Sequence, residues 1–113
     1  MTEQDLRRIE NMLAMDEPEL LMEIARASNA GISFHSPESL LRRGKAFLTE
    51  IQSQLRKSIC HRQDLLDLPE VALAGAIFEI LSVPFVPVLA TVVAAYLVKR
   101  GLRKLCEEGT LNE

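Results

Sequence analysis

The 113-residue chain has no tryptophan, one tyrosine, four phenylalanines and two cysteines. It also lacks a Gly-x-Gly among its five glycines. Each shortage excludes something. Two cysteines cannot build a disulfide-dense secreted scaffold. Without Gly-x-Gly the common phosphate-cradling loops are absent. Five aromatic residues are too few for a base-stacking surface, which needs several exposed rings. There is no HExxH, no paired-Cys spacing and no Gly-x-Ser-x-Gly, so neither a zinc site nor a serine nucleophile is signalled. The first ten residues, MTEQDLRRIE, offer neither the basic start nor the apolar run of an export signal. On that basis the chain is expected in the cytoplasm, or attached to a membrane from its cytoplasmic side, with two reduced thiols.

No segment alternates apolar and polar residues for long, and no Asn-Gly or Asp-Gly hairpin signal occurs. Helical spacing is frequent instead. The expected fold is all-α: a small bundle of four to five helices with a C-terminal apolar helical hairpin. One domain is expected over 1–113, with amphipathic charged helices in 1–68 and the hairpin in 69–107.

Leu6, Ile9 and Leu13 recur at helical steps near the N-terminus. Asp16-Glu17-Pro18-Glu19 reads as a restart, with Asp16 as cap and Pro18 in a first turn. The stretch 1–29 is thus one kinked helix or two short ones, stopped by Asn29-Ala30-Gly31. Ile32 to His35 form a connector. Ser36-Pro37 opens a helix to about Cys60, whose apolar face is Leu40, Leu41, Phe47, Leu48, Ile51, Leu55 and Ile59. His61 to Leu68 is polar, tucked down by Leu65, Leu66 and Leu68. A helix follows from Pro69 to about Ser82. Pro84 and Pro87 then break the backbone ladder. A last helix is expected from Pro87 to Glu107, with Gly101 inside it.

Charge is segregated. Residues 1–27 carry net −4 and residues 40–62 carry net +5. Neighbouring helices that steer one another's packing explain this economically. A nucleic-acid partner is not expected, because the chain is net −3 and the basic helix has a single aromatic, Phe47.

The densest feature is the block Val71–Val98, in which Glu79, Ser82 and Thr91 are the only ordinarily polar residues. A helix apolar on all sides must lie in protein or in lipid. The block exceeds the roughly 20 residues of a membrane span, and cations follow it at Lys99, Arg100, Arg103 and Lys104. Pro84 and Pro87 nevertheless cut it into halves too short to cross, and a mid-bilayer Glu79 would cost about 2–3 kcal/mol or more. The reading preferred here is a hairpin at the centre of the fold, with apolar surface left over for association.

The expected function follows: a non-enzymatic interaction or accessory protein that forms a homo-oligomer or binds a protein partner through Val71–Leu97. The expected contact residues are Val71, Ala72, Gly75, Phe78, Glu79, Leu89, Val92 and Tyr96. A second, basic contact surface comprises Arg42, Arg43, Lys45, Lys99, Arg100, Arg103 and Lys104. The alternative is a membrane-associated effector or anchor that inserts residues 71–98. No catalytic residue, metal ligand or cofactor is expected. Cys60 and His61 are adjacent and point about 100° apart on a helix, a poor chelate, and His35 is a lone connector residue. Asp64/Asp67 and Glu107/Glu108 lie in polar stretches that do not favour acid–base work. Glu79 alone is expected to be desolvated, with a raised pKa unless a cation answers it. Cys60 and Cys106 lie at the ends of long helices and would be close if those ends meet. Buried free thiols are the expectation; a redox or metal pair is the alternative.

Overall fold

The structure, a computed structural model, describes residues 2–28, 36–102 and 104–108. Among them are five α-helices, a 3-10 helix and a terminal π-helical segment, and no strand.

Helix starts follow local chemistry. In α1 (Glu3–Leu13) the Thr2 hydroxyl accepts from the Asp5 amide, and the Asp5 carboxylate accepts from the Thr2 amide, each at 3.1 Å. This reciprocal cap satisfies two donors that a helix start leaves open. Helix α2 (Glu17–Ser28) starts where Asp16 accepts from the Glu19 amide at 3.0 Å. The N-terminal stretch is therefore two helices. The stop at 29–31 and the connector with His35 lie outside the described residues. Helix α3 (Pro37–Ile59) is capped by Ser36, whose hydroxyl accepts from the Ser39 amide at 3.2 Å, with Pro37 in the first turn. The 3-10 helix Gln63–Asp67 leads into α4 (Glu70–Leu81), and α5 spans Pro87–Arg100.

Helix α5 ends seven residues earlier than its apolar pattern implied. Gly101 caps it at φ 103°, and the Gly101 amide donates to the Leu97 carbonyl at 2.9 Å. Glycine bears that backbone angle without a Cβ penalty. The chain turns there and resumes as the π-helical segment Lys104–Glu108.

Helix α5 occupies the middle. It packs against α1, α2 and α4, while α2 also packs on α3. Every residue from Leu89 to Leu97 is buried. The buried hydroxyl of Thr91 donates to the Pro87 carbonyl one turn back at 2.8 Å. The charged helices thus cover the apolar run. Ile9, Leu20, Ile24, Leu48, Leu55, Ile77, Leu81 and Leu97 are fully buried around it, each adding about 1.5–3 kcal/mol relative to exposure. The radius of gyration, 13.1 Å, matches the roughly 13 Å of a compact chain of this length. Of the three leucines expected to anchor 61–68, Leu65 alone is buried. Leu66 and Leu68 are 43% and 37% exposed, because a 3-10 turn of this length offers one residue to the core.

Helices α2 and α3 meet at Gly44. A Cβ built there would lie 2.2 Å from the Leu21 carbonyl oxygen, so the two backbones are in direct contact. Gly44 continues the buried stripe Leu40, Leu48, Ile51, Leu55 at helical spacing.

Candidate functional site

The apolar candidates divide sharply. Gly75, Phe78, Leu89, Val92 and Tyr96 are buried within the chain's own core. Val71 and Ala72 are exposed, at the start of α4. Glu79 is exposed too, contrary to the expected desolvation. Helix α4 turns Ala74, Gly75, Ile77, Phe78 and Leu81 inward, and Glu79 falls on its opposite face.

Among the described residues the most exposed large apolar side chains lie elsewhere, on the connection between α4 and α5 and at the start of α5. Val83 is 89% exposed, Val86 61% and Val88 54%. With Pro84, Phe85 and Pro87 they make an uncharged run, Val83–Val88. The prolines explain its position: with no amide to donate, they keep this backbone out of a helical ladder and at the surface. Phe85 folds back, and its ring meets Phe47 of α3 edge-on at 6.4 Å between centroids. Sequence reasoning placed these valines inside the associating block Val71–Leu97 but did not name them among its contact residues. The signal was available, since loops lie outside and this one has no polar residue.

Of the basic candidates, Arg42, Arg43 and Lys45 are exposed on α3, and Lys99 and Lys104 are exposed near the C-terminus. Arg43 lies one helical turn before Phe47, on the same side of α3. Arg100 is turned inward, its guanidinium 3.9 Å from the Glu17 carboxylate of α2. Arg103 lies outside the described residues.

The expectation of two reduced thiols is overturned. Cys60, at the C-terminal cap of α3, and Cys106, in the π-helical segment, form a disulfide with Cα atoms 5.4 Å apart. The turn at Gly101 brings the second cysteine back to the end of α3. The cytoplasmic reading loses the support it drew from free thiols. Both cysteines are half-buried and line a groove with Arg62, Gln63, Leu66 and Glu107. Its inner part holds about 30 Å³, room for a water, and its open outer part about 460 Å³.

Beside this groove Arg62 grips Asp64 through two hydrogen bonds of 3.1 Å, which hold the Asp64 carboxyl below its ordinary pKa and raise that of Arg62. His61 Nδ1 is 3.1 Å from the Lys57 carbonyl, so that nitrogen is the donor. No cluster of three or more His, Cys, Asp or Glu among the described residues is placed to hold a metal ion. No described helix is long and apolar enough to cross a membrane; α4 has 12 residues and α5 has 14.

Comparison with protein-family models, curated proteins and solved structures finds no match for this chain.

Proposed function

We propose that this protein is a non-enzymatic helical interaction module, and that α4 and α5 act as an apolar hairpin whose tip makes the contact. The supporting observation is the exposure of Val83, Val86 and Val88 on an uncharged stretch held open by two prolines. Three large apolar side chains in water on one short segment favour association over solvation, at about 25 cal/mol per Å² removed from water. The partner is a further copy of the chain or another protein that offers an apolar groove. Val71 and Ala72 extend the contact along the exposed face of α4.

Size-exclusion chromatography with light scattering, in buffer without detergent, tests this. The wild-type chain should run above its 12.6 kDa monomer mass. Val83→Ser with Val86→Ser should return it to monomer with its helical circular dichroism retained, since both positions are exposed in the single chain. A wild-type chain that stays monomeric at every concentration sinks self-association.

One observation favours a second reading, contact with an anionic bilayer surface. The Phe47–Phe85 contact sets the basic stretch Arg42–Lys45 beside the uncharged tip, and basic residues next to an apolar wedge suit anionic headgroups. Insertion would be limited to the tip. Co-sedimentation with phosphatidylserine vesicles, but not with phosphatidylcholine vesicles, is the expected result; equal recovery in the supernatant of both refutes it.

A further inference from the structure

The Cys60–Cys106 disulfide has no part in that association, and its setting differs from that of a core staple. Both cysteines are half-buried and line a groove that opens to solvent. The bond joins the last turn of α3 to a five-residue π-helical segment at the edge of the fold. That segment hangs on Gly101, whose φ of 103° turns the chain and whose Cβ position has no neighbour within 4 Å. The turn is therefore sterically open. The fully buried side chains of α1 to α5 form one cluster with Leu102 and Leu105 from the segment beyond Gly101, and Cys60 and Cys106 lie half-buried against its rim.

We propose that Cys60–Cys106 is a thiol–disulfide exchange site, a clasp opened by a dithiol reductant and closed again by oxidation. A thiolate of the dithiol attacks one sulfur through the groove, and the other cysteine leaves as a thiolate. The second thiol of the reductant then attacks its own sulfur in the mixed disulfide and frees the remaining cysteine. The chain gains two electrons and two protons, and the dithiol becomes a disulfide. With the clasp open, Lys104–Glu108 loses its covalent tie to α3 and keeps noncovalent contacts, Leu105 among them, and it loosens about Gly101 while the helices stay packed. The substrate class is a dithiol, small or borne on a protein.

Dithiothreitol is the probe, applied to the whole chain without denaturant. Iodoacetamide should then label two thiols, with helical circular dichroism retained. Amide exchange in Lys104–Glu108 should speed up by about tenfold or more through local opening, while the buried amides of α5 still exchange only as the whole chain unfolds. Cys60→Ser with Cys106→Ser should show the same fast exchange and no response to the reductant. Removing the reductant and adding oxidised glutathione should restore the slow exchange. Three results would overturn the proposal: thiols that emerge only in denaturant, loss of helical signal on reduction or in the double variant, and a native protein whose two thiols resist mild oxidation.

Discussion

Gly44→Ala is expected to destabilise this protein although alanine is the better helix former. Propensity alone favours the substitution by about 1 kcal/mol at an interior helical position. Packing opposes it more strongly. The new Cβ would stand 2.2 Å from the Leu21 carbonyl oxygen, 2.9 Å from its carbonyl carbon and 3.3 Å from its Cα. Ordinary contact begins at 3.4 Å, so α2 must retreat from α3 by about 1.2 Å. A gap of that order forfeits a quarter to a half of each dispersion contact it widens. Leu20, Leu21 and Ile24 of α2 and Leu48 of α3 belong to the core that loses contact. Overpacking against a backbone that cannot rotate away stands at the upper end of the usual range, about 3 kcal/mol. The net loss is about 2 kcal/mol, or about 6–12 °C in melting temperature for a chain of this size. A thermal melt at 222 nm measures it, and a urea titration should show a lower midpoint with an unchanged slope. A double-variant cycle sharpens the test. Because the clash is with the backbone of Leu21, trimming that side chain with Leu21→Ala should not rescue Gly44→Ala. A Gly44→Ala protein that melts at or above the wild-type temperature would refute the close approach of α2 and α3.

The other expectations rest on separate features. Gly101→Ala should cost about 1–3 kcal/mol in the same melt, through backbone strain at φ 103° with space to spare around the Cβ; a neutral result would refute that turn. Cys60→Ser with Cys106→Ser should lower stability by about 4 kcal/mol, the chain-entropy value for a crosslink across 46 residues. A loss under about 1 kcal/mol would show that the crosslink does not restrain the unfolded chain. Burial raises the pKa of Tyr96 above its ordinary 10.0, despite the opposing charge of Arg100. Between the unfolded and folded pKa values the unfolded chain holds fewer protons, so the contribution of Tyr96 to stability is complete below pH 10 and is lost as pH rises past it. Tyr96 is the only tyrosine, so phenolate absorbance follows it directly, and a folded-state midpoint at or below 10.0 would contradict its burial.

Much of the helical layout was legible in the residues. Asp16 and Ser36 announce helix starts because a short side-chain acceptor can reach an amide three residues on, a geometry contained within one turn. Pro84 and Pro87 announce a break because proline's missing amide is a local property. The face of α3 was readable because polar residues separate its apolar positions. The candidate surface was harder to read. Gly75, Phe78, Leu89, Val92 and Tyr96 looked available for contact and are buried, whereas Val83, Val86 and Val88 went unnamed among the contact residues and are exposed.

The amino-acid sequence by itself determined the all-helical class, where α1, α2 and α3 begin, the break between α4 and α5, and the concentration of apolar residues in 71–98. Tertiary structure decided what covers that block, which side of α4 carries Glu79, where α5 stops, and that Cys60 meets Cys106. The physical reason is range. Caps, prolines and periodicity act within a few residues, and a helix apolar on every side has no preferred face to declare. Its neighbours were settled by long-range packing, in which α1, α2 and α4 each lay an apolar stripe against α5, and by one glycine turn that returned the C-terminal segment to α3.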